Sequence, residues 1–205
     1  MSGRARGLRF LLLALALVAG CGDSVPQLPR LGANDVVVAF GNSLTYGTGA
    51  REQESYPAVL AQLIGRPVVR AGVPGEVTAQ GLRRLLSVID EHQPRLVIVC
   101  LGGNDMLRRI GDGEIKRNLG DMLKVLNKRG IGAVLVGVPK PALVTSAPGF
   151  YAELAREFGV PYEGKIVTSV LYAADMKADP IHPNAKGYRR MAEALAELLK
   201  QAGAI

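Results

Sequence analysis

The stretch Val36-Val37-Val38-Ala39-Phe40-Gly41-Asn42-Ser43-Leu44-Thr45 decides how the rest of the chain is read. An apolar, largely β-branched run ends in a glycine, and a serine follows two residues later in a short polar loop. A continuous apolar run suits a central parallel strand, which is buried on both faces and has no need to alternate. The carboxyl ends of such strands form the rim where open α/β sheets hold their ligands. Ser43 therefore stands where chemistry collects. A serine hydroxyl is a weak nucleophile until a base takes its proton, so the chain must supply that base.

The sequence contains 2 histidines. His182 lies in Asp179-Pro180-Ile181-His182-Pro183-Asn184, with a carboxylate three residues before the imidazole. In a turn this spacing brings the Asp179 oxygens to one ring nitrogen, fixing the tautomer and leaving the other nitrogen to accept a proton. His92, in Glu91-His92-Gln93-Pro94, reads as the end of a helix before a strand and is assigned a structural role.

Gly41-Asn42-Ser43-Leu44, Gly75, Gly102-Gly103-Asn104-Asp105 and Asp179-x-x-His182 together resemble the four blocks of the SGNH (GDSL-type) hydrolases. Their spacing is most similar to the compact thioesterase, lysophospholipase and arylesterase branch, and the match runs from about residue 36 to the end of the chain. The resemblance implies a serine esterase acting on acyl esters or thioesters, with Ser43, His182 and Asp179 as catalytic residues. It also implies an oxyanion hole made of the Ser43 and Gly75 backbone N–H groups and the Asn104 amide. A carbohydrate O-acetylesterase on the same fold, and a non-catalytic lipid-anchored binding protein, are the alternatives. Asn42 stands where the family usually has Asp, and Arg70 where Asn commonly precedes the second block. Asp105 is expected to hold its loop.

Around these motifs the chain alternates between two periods. Tyr56, Val59, Leu60, Leu63 and Ile64 keep helical spacing, as do Leu82, Leu85, Leu86 and Ile89. Ile115, Leu119, Met122, Leu123 and Leu126 predict a third helix stopped by Gly130, and residues 151–158 a fourth. The last helix carries Tyr188, Met191, Leu195, Leu198 and Leu199, with Asn184 as its N-cap. Strands are expected at 67–69, 96–101, 133–136 and, marginally, 160–162, after the one ending at Gly41. The alternation argues for a three-layer α/β/α, flavodoxin-like fold with a parallel sheet of about five strands. On that topology Ser43, Gly75, Asn104 and His182 follow four different strands and converge on one rim. The irregular stretch 139–150 is placed at the same rim, where Leu143, Val144 and Phe150 either line an acyl groove or cover the core.

The beginning of the chain reads differently. Arg4, Arg6 and Arg9 precede an apolar run of ten residues, Phe10 to Ala19, about half of the ~20 that span a bilayer. A charged start and a short apolar run describe a secretory signal over residues 1–20. Val18-Ala19-Gly20-Cys21 resembles a bacterial lipobox, which implies lipid on Cys21, a tether over 21–34 and a hydrolase domain over 35–205. The expected address is the bacterial cell envelope, exported and membrane-anchored. With Cys21 acylated, Cys100 remains a buried free thiol, and no disulfide is expected. Gly22-Asp23-Ser24-Val25 matches a Gly-Asp-Ser pattern but follows no strand, so Ser24 is set aside. Once the three arginines of the first twenty residues are set aside, 22 basic side chains face 18 acidic ones, a net of +4. That excess, on residues such as Arg83, Arg84, Lys116, Lys124 and Lys128, reads as solvated helix faces and not as a nucleic-acid site, since no aromatics interleave. There is no Cys/His cluster for a metal and no Gly-x-Gly-x-x-Gly after the first strand, so no cofactor is expected.

Overall fold

The run around Phe40 forms a strand, β1 (Val37–Gly41), buried along its whole length. It lies in a computed structural model that describes residues 25–140 and 146–205. The signal segment, Cys21, Ser24, Leu143 and Val144 fall outside the described residues. Beside β1 lie β2 (Val68–Gly72) and β3 (Leu96–Cys100), followed outward by β4 (Gly132–Val136) and β5 (Tyr162–Glu163). All pairs are parallel and the order is β2-β1-β3-β4-β5, the flavodoxin-like arrangement. Gly41 is in register with both Gly72 and Cys100. The loops after the three strands therefore leave the sheet at one level, which is the condition for their side chains to meet.

Helices cover both faces. On one side α2 (Tyr56–Ile64) packs against α8 (Ala185–Gln201), which also meets α7 (Ile166–Tyr172). On the other, α5 (Asp112–Lys128) lies between α3 (Thr78–His92) and α6 (Gly149–Phe158). Each long helix presents its apolar stripe to the sheet; α8 buries Tyr188, Met191, Leu195, Leu198 and Leu199. Asn184 caps α8, its side-chain oxygen accepting the Gly187 N–H at 3.1 Å. At the end of α3, Gln93 takes the left-handed conformation that closes the helix. His92 is the last residue of that helix, 3.8 Å from Glu91 and remote from Ser43, as a structural histidine should be.

Three features depart from the sequence reading. First, α7 stands between β5 and His182, so the last strand does not deliver the histidine directly. Its buried residues Ile166, Val167 and Val170 occupy under two turns, too few for a period to show. Second, the described part of the expected tether does not hang free. The Leu28 and Leu31 N–H groups donate to the Ala202 and Ala204 carbonyls at 2.9 Å each, and Leu31 is only 2 % exposed. Burying these leucines offsets the entropy of ordering the segment. Third, Arg84 is not a solvated surface charge; its head group pairs with the buried Glu76.

Gly41 ends β1 for a steric reason. A Cβ there would collide with the Thr45 hydroxyl and lie 2.5 Å from the Cys100 carbonyl oxygen. Cys100 is a free, fully buried thiol, pushed up to about 12 by burial, with a hydrogen bond from Thr45 partly opposing the shift. It stays protonated at neutral pH and packs as a small apolar residue.

Candidate active site

The short helix α1 (Ser43–Tyr46) begins immediately after β1, and its geometry aims the serine. Asn42 is the N-cap, its side-chain oxygen accepting the Leu44 N–H at 3.1 Å while the residue is almost wholly buried. A carboxylate would accept the same bond, so asparagine keeps the cap without burying a charge. Ser43 takes the first helical position, where backbone N–H groups have no partner inside the helix. Arg70, the other unusual residue, ties the far end of α1. Its guanidinium donates to the Tyr46 carbonyl at 2.7 Å, lies 4.5 Å from the centre of the Tyr46 ring, and pairs with Glu52 at 3.0 Å.

His182 arrives from the loop before α8, 139 residues further along the chain. Its Nε2 lies 3.0 Å from Ser43 Oγ, and its Nδ1 lies 2.7 Å from Asp179 Oδ2. The other Asp179 oxygen accepts the Ile181 and His182 N–H groups at 2.8 and 2.9 Å. One carboxylate thus folds the turn with one oxygen and orients the ring with the other. Partial burial pushes the Asp179 carboxyl up, but the hydrogen bonds from the His182 ring and the two N–H groups outweigh it, and the net position is below the usual carboxylate range. Asp179 therefore stays ionised at neutral pH and accepts from the His182 ring as a carboxylate. The turn is braced from outside as well. The Tyr188 hydroxyl donates to the Thr48 carbonyl at 2.8 Å, joining α8 to the loop after α1.

Asn104 lies in α4 (Gly103–Leu107), a one-turn helix directly after β3. Its Nδ2 donates to the Glu76 carbonyl at 2.9 Å. That acceptor decides which way the amide points, because turning it over would set two oxygens against each other. One N–H of the amide remains, and Asn104 lines the same cavity as Ser43 and His182. Gly75 is the third residue of a turn, Val73-Pro74-Gly75-Glu76, closed by the Glu76 N–H on the Val73 carbonyl at 3.1 Å. Its φ of +79° is the value that position requires in a type II turn, and Pro-Gly is the pair that supplies it. Gly75 borders the adjoining hollow with Gln80 and Arg108 instead of the Ser43 cavity. It is joined to that cavity through the next residue's carbonyl, which holds Asn104.

Asp105 holds its loop, as expected, and does so through a network the sequence did not signal. Its carboxylate accepts the Thr78 N–H at 3.0 and 2.9 Å and the Thr78 hydroxyl at 2.5 Å. Asn118 Nδ2 then donates to the Thr78 hydroxyl at 3.0 Å. A buried carboxylate at the start of α3 meets the unpaired N–H and the positive end of that helix at once. Loop and helix are locked together beside the cavity.

The cavity itself is apolar apart from Asn42, Ser43, Asn104 and His182. Leu44, Leu107, Val138, Pro139, Leu171 and Ile181 form its walls. Phe150 is not among them; it is buried in α6 and stacks on Tyr151 at 4.6 Å. Of the two roles open to Phe150 in the sequence, the structure gives it the core. Leu171 and Ile181 were missed as wall residues, because they belong to the unrecognised α7 and to the histidine turn.

Known proteins resemble this chain over most of its length. The model of the GDSL-like lipase/acylhydrolase family matches residues 39–190. A protein of Escherichia coli named thioesterase 1/protease 1/lysophospholipase L1 is 30 % identical over 179 residues, covering 83 % of this chain and 86 % of that one. Esterase TesA of Pseudomonas aeruginosa is 26 % identical over 197 residues, covering 90 % and 96 %. Among solved structures, the SGNH-hydrolase family esterase AlinE4 is 32 % identical with a TM-score of 0.66, covering 84 % of this chain and 98 % of that one.

Proposed function

The chain belongs to the GDSL-like lipase/acylhydrolase family and is a serine ester hydrolase, and from that premise we propose that Ser43, His182 and Asp179 carry out the hydrolysis of medium-chain acyl esters or thioesters. The carrying observation is the relay Asp179–His182–Ser43 at 2.7 and 3.0 Å, opening into an apolar cavity that also holds Asn104. His182 takes the Ser43 proton as Oγ attacks the carbonyl, then hands it to the departing alcohol or thiol. Water repeats the sequence on the acyl-enzyme and releases the acid. Negative charge on the tetrahedral oxygen is met by the Asn104 amide and the Ser43 N–H, both of residues that line the cavity, while Gly75, which borders the adjoining hollow, is a third donor by family resemblance alone.

The walls of the cavity set the substrate class. Each methylene moved from water onto such a surface contributes about 0.8 kcal/mol, so kcat/KM should rise by roughly fourfold per added carbon until the groove is full. A series of aryl esters and acyl thioesters from acetyl to dodecanoyl, with acetylated xylan and peptidoglycan beside them, measures this directly. A flat series, or preference for the acetylated carbohydrates, would transfer the protein to the O-acetylesterase reading.

We also infer that Cys21 carries lipid and holds the protein at the cell envelope after export, from the apolar run and the small residues before it. The position of the first described residues bears on how such an anchor would hold the domain. Residues 28–31 bond to the end of the chain after α8, and Arg66, just before β2, donates to the Leu31 carbonyl at 3.1 Å. That is the amino edge of the sheet, separated from the catalytic rim by about 16 Å of strand. A lipid on Cys21 would therefore join the domain from the edge opposite the catalytic rim. Mass spectrometry of membrane-fraction protein should find acyl mass on Cys21. Cys21→Ser should be soluble and keep full turnover of dissolved esters. An unmodified Cys21 in membrane-bound protein would overturn the anchor.

A further inference from the structure

We propose that Arg84 is a positioning residue for the reaction, acting through Glu76 to hold the Asn104 amide in the orientation the oxyanion needs; this rests on the hydrolase reading above. Arg84 lies on the α3 face toward the sheet. Its Nε and Nη2 grip the two Glu76 oxygens at 2.8 and 2.7 Å, a two-point fork. Nη2 also donates to the Ala71 carbonyl at 3.1 Å, and the guanidinium lies 4.3 Å from the centre of the Phe40 ring. One head group thereby joins β1, β2, α3 and the 75–77 loop.

Glu76 is the residue whose backbone carbonyl receives the Asn104 amide. Its side chain is 5 % exposed, so the carboxylate depends on Arg84 for its charge balance. A buried carboxylate stripped of its partner is an uncompensated charge; relieving it shifts the 75–77 backbone toward water and carries the Glu76 carbonyl with it. Asn104 then loses the acceptor that fixes its plane. The disturbance stays local, because Thr78 remains bound to the Asp105 carboxylate on the helix side of the loop. On the exposed side, Arg108 Nη2 holds the Gly75 carbonyl at 2.9 Å. Arg84 thus controls the segment between two fixed points, and that segment carries the one carbonyl that orients Asn104.

Misplacing a catalytic group by an ångström costs on the order of 10²-fold. Arg84→Met, similar in length but without charge or donors, should therefore lower kcat by roughly 10- to 100-fold, with KM for a short aryl ester changed by less than about twofold. Rates are normalised to the protein that a serine-reactive phosphonate titrates, which removes any unfolded fraction. Arg84→Lys keeps the charge without the fork and should recover part of the loss; it also serves if the methionine variant folds poorly. The deciding step is the same pair of substitutions in an Asn104→Ala background, where Arg84→Met should cost less than about twofold, since the group it positions is gone. Equal losses in both backgrounds, or a lower melting temperature with unchanged kcat per titrated site, would overturn the role of Arg84 and leave the hydrolase reading intact. If Asn104→Ala itself keeps full kcat, the oxyanion assignment and this inference fall together.

Discussion

Replacing Ser43 with alanine should reduce kcat by on the order of 10⁶-fold, about 8 kcal/mol of transition-state stabilisation, while the protein stays folded. The size of the effect follows from Ser43 being the only atom source for the acyl-enzyme bond in the proposed mechanism. No other hydroxyl among the described residues lies beside His182 Nε2 as Ser43 Oγ does at 3.0 Å. His182→Ala should cost nearly as much, and the double variant little more, because base and nucleophile act as one unit. Stability should hardly change, since Ser43 exchanges one partly buried hydrogen bond for a methyl group of similar volume. Circular dichroism and thermal melting establish that the variant is folded; steady-state rates on an aryl ester then give the loss. Turnover within tenfold of wild type in a folded Ser43→Ala protein would remove the serine from the mechanism.

Asn104→Asp should have the largest effect outside the Ser43–His182 pair, at least the 10²–10³-fold in kcat, about 2.7–4 kcal/mol, that loss of one oxyanion donor costs. The substitution is nearly isosteric, but it sets an acceptor and a negative charge where the proposed mechanism forms the oxyanion. It also places a carboxylate oxygen against the Glu76 carbonyl that now receives a hydrogen bond at 2.9 Å. Asn104→Ala removes the donor without adding repulsion and should be the milder of the two. If Asn104 only fastened its loop, alanine would lower thermal stability and shift KM together with kcat. A donor to the transition state alone lowers kcat and kcat/KM equally and leaves KM near its wild-type value. Near-normal kcat in a folded Asn104→Asp protein would leave the hole to backbone groups.

The residues of the relay were legible because each is announced by its neighbours. The apolar run to Phe40 places Ser43 at the end of a central strand, and the Asp-x-x-His spacing folds the turn that joins Asp179 to His182. Gly102-Gly103-Asn104-Asp105 likewise marks the end of β3. The supports of the site were not legible. Arg84 and Glu76 are eight residues apart across a loop and a helix start, so no helical or strand period links them. Read alone, Arg84 is one more cation on an amphipathic helix; only the folded chain brings its fork to a buried carboxylate. Thr78 and Asn118 meet Asp105 over separations of 27 and, through Thr78, 40 residues, again beyond any local pattern. The packing of Leu28 and Leu31 was not legible for another reason. Pro and Gly break the period of residues 22–34, but Leu28 and Leu31 still find apolar surface near the end of the chain, and burial decides the matter where periodicity is silent.

In the proposed mechanism Ser43 is the nucleophile and His182 activates it. The most direct measurement is covalent: incubation of the full chain with an alkyl aryl phosphonate, followed by peptide mass mapping. One phosphonyl adduct is expected, on the peptide containing Ser43, formed at a rate that collapses in His182→Ala and accompanied by loss of turnover in proportion to labelling. An adduct on Ser24 or on another residue, or labelling of Ser43 that proceeds unchanged without His182, would contradict it.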